Sequence, residues 1–173
     1  MKNNSVVDYS LQGITVTLKN QYKVIIERSP TRLLLPPLLD LYYLGIGVST
    51  KGQGPPSESD SLEIEIDEYI YLQSLNIIDN IENFTSSTFV FYKYLRQKNY
   101  IPKTGIQYGC SFLLYEQCQD LIHACYLVSL GSQNLIKLLT ISRRHNKQVL
   151  ILYYQDGKIA SKVVQNFKQM PII

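Results

Sequence analysis

Between Lys147 and Tyr154 the chain carries Val149-Leu150-Ile151-Leu152, four apolar residues in a row with nothing that turns toward water. A run of that length, bounded by polar residues, reads as a strand buried on both faces, the kind found in a sheet covered by helices. The flanking sequence is consistent. Asp156-Gly157 is a hairpin turn signal and leads into a last strand from Ile159 to about Phe167. His123 to Leu130 reads as a further strand rich in apolar residues. Between the two, Gly131-Ser132 opens a helix whose buried stripe is Leu135, Leu138, Leu139 and Ser142. Tyr100 to Glu116 is mostly strand, broken at Pro102 and again at Gly105 or Gly109. Upstream, Thr85-Ser86-Ser87-Thr88 supplies N-cap residues for a helix to about Lys98, with Phe89, Tyr92 and Leu95 at helical spacing. Helix, strands, helix, strands implies an α/β (α+β) domain, a mixed β-sheet flanked by helices.

The first half reads as a smaller mixed domain. Residues 14–18 and 22–27 form a hairpin about Lys19-Asn20-Gln21. Leu38 to Leu44 forms a short helix after Pro36-Pro37 and is ended by Gly45 and Gly47. Ser49 to Ser61, rich in Gly, Pro and Ser, is expected to be a mobile loop. Leu62-Glu63-Ile64-Glu65-Ile66 alternates as a strand with one wet face. Asp67 is then expected to cap a helix to about Leu75, with Ile70 and Leu75 facing inward. The polar stretch from Asn80 to Ser87 places the boundary, giving domains 1–84 and 85–173.

Charge separates the same two halves. Residues 1–84 hold six Lys/Arg against eleven Asp/Glu, a net of −5, whereas residues 85–173 hold eleven against three, a net of +8. The second half is thus the one suited to a polyanion. A drift of charge for solubility is the plain alternative. Cys110, Cys118 and Cys125 are odd in number and lack a CxxC pair, which argues against a disulfide framework and a structural zinc site. No apolar stretch follows the N-terminus, and Leu33 to Val48, interrupted by Pro36, Pro37 and Asp40, is too short to span a bilayer. The reading is a soluble intracellular protein.

The segment from Phe91 to Tyr115, FYKYLRQKNYIPKTGIQYGCSFLLY, resembles the signature of the tRNA-splicing (tRNA-intron) endonuclease family. That signature joins a helix ending in an Arg-containing turn to a Lys-x-Gly, an aromatic-Gly pair and a strand ending in tyrosine. His123-Ala124 before an apolar strand, and Lys147 before Val149, are similar to its remaining elements. The wording of residues 100–109 is most like the eukaryotic subunit that cuts the 5′ splice site. The likeness covers roughly residues 89–154, with a fainter echo over residues 33–78.

The resemblance implies a restriction-endonuclease-like catalytic domain after an N-terminal domain of the same family. It also implies metal-independent cleavage of pre-tRNA at exon–intron junctions, with no cofactor, leaving 2′,3′-cyclic phosphate and 5′-hydroxyl ends. By its pattern Tyr115 is the general base, His123 the general acid and Lys147 the electrostatic stabiliser. A free imidazole titrates near pH 6.5 and suits acid catalysis. A phenol near pH 10 needs help, and the Lys147 ammonium is expected to lower it. Taken singly, each residue has an ordinary structural reading, and it is the set that points to catalysis. Arg143, Arg144, Lys103 and Phe167 are the expected RNA contacts. The family's base-clamping arginine and tryptophan are replaced here by Thr140 in the arginine's register and by Phe167 near the C-terminus. His145 is expected on a solvated basic helix end. Ser111 replaces a usual acidic residue, and its position is expected to be structural.

Implied partners are pre-tRNA and either copies of the chain or other subunits in a tetramer, in the nucleus or the cytoplasm according to kingdom. Assembly in the family uses the C-terminal strands, so Ile159 to Phe167 is an expected interface. A non-catalytic RNA-positioning subunit and a general basic RNA-binding module are the competing readings. A metal-dependent nuclease of Asp/Glu-x-Lys type finds only Asp156-Gly157-Lys158 in this half, which reads as a turn.

Overall fold

The computed structural model describes residues 6–9, 14–20, 23–28, 37–57, 60–78, 83–131 and 135–164. The chain divides into two compact units, Met1–Val90 and Phe91–Ile173.

In the first unit, β1 (Val6–Tyr9), β2 (Ile14–Asn20) and β3 (Lys23–Arg28) are followed by α1 (Pro37–Tyr43), β4 (Val48–Ser49), β5 (Ser61–Glu65) and α2 (Ile66–Ser74). The strands make one antiparallel sheet in the order β1-β2-β3-β5-β4. Pairing of β2 with β3 runs on to Asn20↔Lys23, so Lys19 and Asn20, expected in the turn, belong to β2. Alternation in β5 buries Leu62 and Ile64 and leaves Glu63 and Glu65 half-buried. The following segment differs from expectation at its cap. Glu65, not Asp67, is the N-cap, and Glu68 closes a capping box by accepting from the Glu65 amide at 2.9 Å. Its other oxygen accepts from the Gly47 amide at 3.2 Å, which is how a carboxylate only 1% exposed is satisfied. Asp67 instead accepts from the Thr88 hydroxyl at 2.6 Å. The inward face of α2 is Glu68, Tyr69 and Leu72; Leu75 is the C-cap and is 49% exposed.

The Gly/Pro/Ser loop carries defined local bonds. The Thr50 amide donates to the Ser61 carbonyl, the Ser57 amide to Asp60, and Lys51 pairs with Asp60. That ion pair and the Ser57 amide hold the Asp60 carboxyl below its usual range.

The second unit contains α3 (Phe89–Gln97), β6 (Ile101–Thr104), a 3₁₀ turn (Ile106–Tyr108), β7 (Phe112–Tyr115), β8 (Tyr126–Leu130), α4 (Leu135–Arg144), β9 (Gln148–Gln155) and β10 (Lys158–Val164). The sheet order is β10-β9-β8-β7-β6, antiparallel except for the β8–β9 pair that α4 bridges. The apolar run lies in β9, where Val149, Leu150 and Leu152 are buried. Pro102 does not break the strand. It sits within β6, opposite Leu114, and β6 is an edge strand, where a missing amide donor is tolerated. Asp156 and Gly157, with φ of 52° and 74°, make the tight turn from β9 to β10. The described part of the expected final strand ends at Val164.

The four α-helices among the described residues end by one device. A residue of positive φ follows the C-cap: Gly45, Asn76, Asn99 and Asn146. In each case its amide and the next one donate back into the last turn. For α4 these are Asn146 to Arg143 at 3.4 Å and Lys147 to Ser142 at 2.9 Å. This is the Schellman pattern, in which the second residue is usually apolar and packs on the helix. Ile46, Ile77 and Tyr100 fit that habit, and Lys147 departs from it.

Candidate active site

The topology of the second sheet brings three chain segments to one end. Leu114 faces Tyr126 across an antiparallel pair, and Tyr126 stands beside Gln148 in a parallel one. One step beyond that row lie Tyr115 at the end of β7, Cys125 ahead of β8, and Lys147 ahead of β9. Backbone bonds extend the row, the Cys125 amide donating to Leu114 at 2.8 Å and the Gln148 amide to Cys125 at 3.4 Å.

A pocket of about 500 Å³ opens here, and Tyr115, His123 and Lys147 all line it. Tyr115 is half-buried and packs against the core cluster that includes Leu113, Leu127 and Val149. His123 differs from expectation. It does not open β8 but lies exposed in the loop three residues before it. The residue after it, Ala124, is buried in the core and anchors that loop. Lys147 is fixed twice, by its amide on Ser142 and by its ammonium, which donates to the Ala124 carbonyl at 2.7 Å. The lysine therefore ties the α4–β9 corner to the residue beside His123.

The expected lowering of the Tyr115 phenol is not what the environment produces. Burial pushes it up, and Tyr108, Asp120 and Cys125 add to the rise. Desolvation disfavours the phenolate, and no cation is among the causes that act on it. Cys125, half-buried with its thiol donating to the Leu114 carbonyl at 3.1 Å, is also raised, first by burial and then by Glu116, with Lys147 acting against them.

The pocket holds two residues that the sequence reading did not place in it. Tyr108 and His145 line it as well, with ring centroids 5.6 Å apart and planes at 87°. The only available sequence signal for His145 was its position two residues before Lys147. Arg143 and Arg144 are exposed in the last turn of α4, next to this rim. Lys103 is elsewhere, in β6, and at 8% exposure it presents little of its cation to a polyanion. Thr140 is exposed and its hydroxyl donates to the Ile136 carbonyl within α4. Ser111 serves the backbone, its amide donating to Val128 at 2.8 Å. Phe167 lies outside the described residues. Among the described residues no group of three or more His, Cys, Asp and Glu side chains is placed to hold a metal ion, and no helix is long and apolar enough to cross a membrane.

The fold and site define a class: an α+β domain whose mixed sheet carries a tyrosine, a histidine and a lysine around one pocket at one strand end. Residues 86–161 match the family model for the tRNA intron endonuclease, catalytic C-terminal domain, and over these residues the chain is similar to that family. Curated relatives agree. The tRNA-splicing endonuclease subunit Sen2-2 of Arabidopsis thaliana is 35% identical over 71 residues, 41% of this chain and 26% of the relative. The tRNA-splicing endonuclease of Methanococcus maripaludis is 36% identical over 61 residues, 35% of this chain and 34% of the relative. Subunit Sen2 of Gallus gallus is 33% identical over 57 residues, 33% of this chain and 12% of the relative. The chain thus spans about a third or less of the length of these relatives.

Proposed function

We propose that this chain is a catalytic subunit of a tRNA-splicing endonuclease, acting on pre-tRNA within an assembly of its own copies or of other subunits. The observation that carries the reading is the meeting of Tyr115, His123 and Lys147 in one pocket, although 8 and 24 residues separate them along the chain. RNA brings its own nucleophile. Tyr115 takes the proton of the 2′-hydroxyl as its oxygen attacks the adjacent phosphorus, and His123 gives a proton to the departing 5′-oxygen. Lys147 offsets the charge that builds on the phosphorane oxygens. The products are a 2′,3′-cyclic phosphate and a 5′-hydroxyl. The +8 charge of residues 85–173 suits the substrate. In this reading residues 1–84 form the family's N-terminal domain, Arg143 and Arg144 meet phosphate, and the strand after Ile159 is an assembly surface.

One observation favours a second reading, in which the chain positions RNA without cutting it: the raised Tyr115 phenol. Burial holds this phenol in its neutral form more firmly than a solvated tyrosine, which works against a phenolate base. The two readings part in a single assay, incubation of intron-containing pre-tRNA in EDTA with the chain alone and with candidate partner subunits. Cleavage to a cyclic phosphate, abolished by Tyr115→Phe, His123→Ala and Lys147→Ala, supports the catalytic subunit. Binding without cleavage in every combination refutes it.

A further inference from the structure

We infer that Tyr108 is a stacking platform for the base of the nucleotide on the 5′ side of the scissile phosphate. The inference rests on the catalytic reading above and extends it from the reacting atoms to the nucleotide that carries them.

Four observations converge. The pocket, at about 500 Å³, is within the size range of sites that enclose a small organic ligand, and so has room for a nucleoside beyond the phosphate. Tyr108 is half-buried, packed against the core cluster that includes Leu113 while also lining the pocket. The imidazole of His145 also contacts its ring, the two planes lying at 87° with centroids 5.6 Å apart. A ring gripped in this way is ordered before the ligand arrives, which lowers the entropy cost of stacking. Finally, Tyr108 is close enough to Tyr115 to oppose its ionisation. Tyr115 addresses the 2′-hydroxyl, and that hydroxyl belongs to the nucleotide 5′ of the cut. The base of the same nucleotide is therefore placed against Tyr108, which lines the pocket beside Tyr115. Stacking on an aromatic face tolerates any base. The recognition is of an unpaired, splayed nucleotide rather than of a sequence.

The test uses the full chain in whichever assembly binds pre-tRNA, with a substrate carrying a 2′-deoxy block at the cut site and 2-aminopurine at single positions. Fluorescence is expected to be quenched when the probe is 5′ of the scissile phosphate and not when it is 3′. Tyr108→Phe keeps the quenching and Tyr108→Leu removes it. In cleavage of unblocked RNA, Tyr108→Leu is expected to lower kcat/KM roughly five- to a hundredfold. Its effect on a substrate that is abasic at the 5′ position is expected to be much smaller. A probe quenched only on the 3′ side overturns the inference, as does equal sensitivity of intact and abasic substrates to Tyr108→Leu. Should Tyr108→Leu melt early, the probe scan on the parent protein still decides. The catalytic reading fails separately, if Tyr115→Phe cuts at the parent rate while the quenching pattern stands.

Discussion

A single substitution, Lys147→Met, separates the structural bond that Lys147 makes from the electrostatic role proposed for it. Its ammonium donates to the Ala124 carbonyl at 2.7 Å, a charge-assisted bond in a half-buried setting. Hydrogen bonds to charged groups contribute roughly 1.5–3 kcal/mol, and partial solvation trims this to about 1–2 kcal/mol. For a unit of this size that loss lowers the melting temperature by roughly 5–15 °C. A protein with a stability of about 5 kcal/mol or more stays over about 99% folded at 25 °C after such a loss, so the loss alone leaves cleavage nearly intact. If Lys147 also stabilises the phosphorane, the single-turnover rate falls a further 10²–10³-fold, the usual effect of removing one donor from a developing oxyanion. Differential scanning calorimetry gives the first quantity and quenched cleavage of end-labelled pre-tRNA gives the second. A melting shift of the expected size with a rate loss below about tenfold refutes the electrostatic role and leaves Lys147 as a staple. A large rate loss with unchanged melting refutes the Ala124 bond.

Asn146 holds the left-handed position that aims Lys147, with φ of 50°. Asn146→Gly is expected to be neutral or slightly stabilising, while Asn146→Val costs about 1–2 kcal/mol and depresses cleavage through Lys147, read by urea melts and rate together. Asp120 is one of the groups that raise the Tyr115 phenol. Asp120→Asn therefore lowers it, and cleavage at pH 8 rises roughly two- to fivefold; a variant rate at pH 8 no higher than the parent's argues against a phenolate base. Burial pushes the Cys110 thiol up from 9.0 to about 11. Because the folded pKa is the higher one, stability is full below pH 9 and is lost as pH rises toward 11, by at most about 3 kcal/mol. Cys110→Ala is expected to flatten this slope in chemical melts between pH 8.5 and 11.

Much of the second unit was legible because its signals are local. The Val149–Leu152 run, the Asp156-Gly157 turn and the Leu138, Leu139, Ser142 stripe each depend on a few neighbouring residues, and each appears where the pattern placed it. The misreadings share one cause, that a neighbour distant in sequence decides. Asp67 looks like a cap, but Glu68 satisfies both the Glu65 and Gly47 amides and Thr88 takes Asp67. Pro102 looks like a break, but an edge strand excuses the missing donor. Nothing near Tyr115 in sequence announces that its surroundings raise rather than lower its pKa, because the largest cause is burial by the folded sheet.

The pocket is set by strand register, not by spacing along the chain. Leu114, Tyr126 and Gln148 form a row across three strands, and the candidate residues lie at or just past its end. The loop of residues 116–125 and the helical crossover between β8 and β9 therefore affect the site only through where they deliver the chain. Two features of those connections govern delivery. The Schellman turn at Asn146 ends α4 and places Lys147 at the strand start, and the Lys147–Ala124 bond then pins the loop beside His123. An apolar residue at 147 would complete the helix cap better by the habit of the other three helices. A lysine there gives up that packing and places a cation at the pocket, which is the local inconsistency expected where a position is set by function rather than by stability.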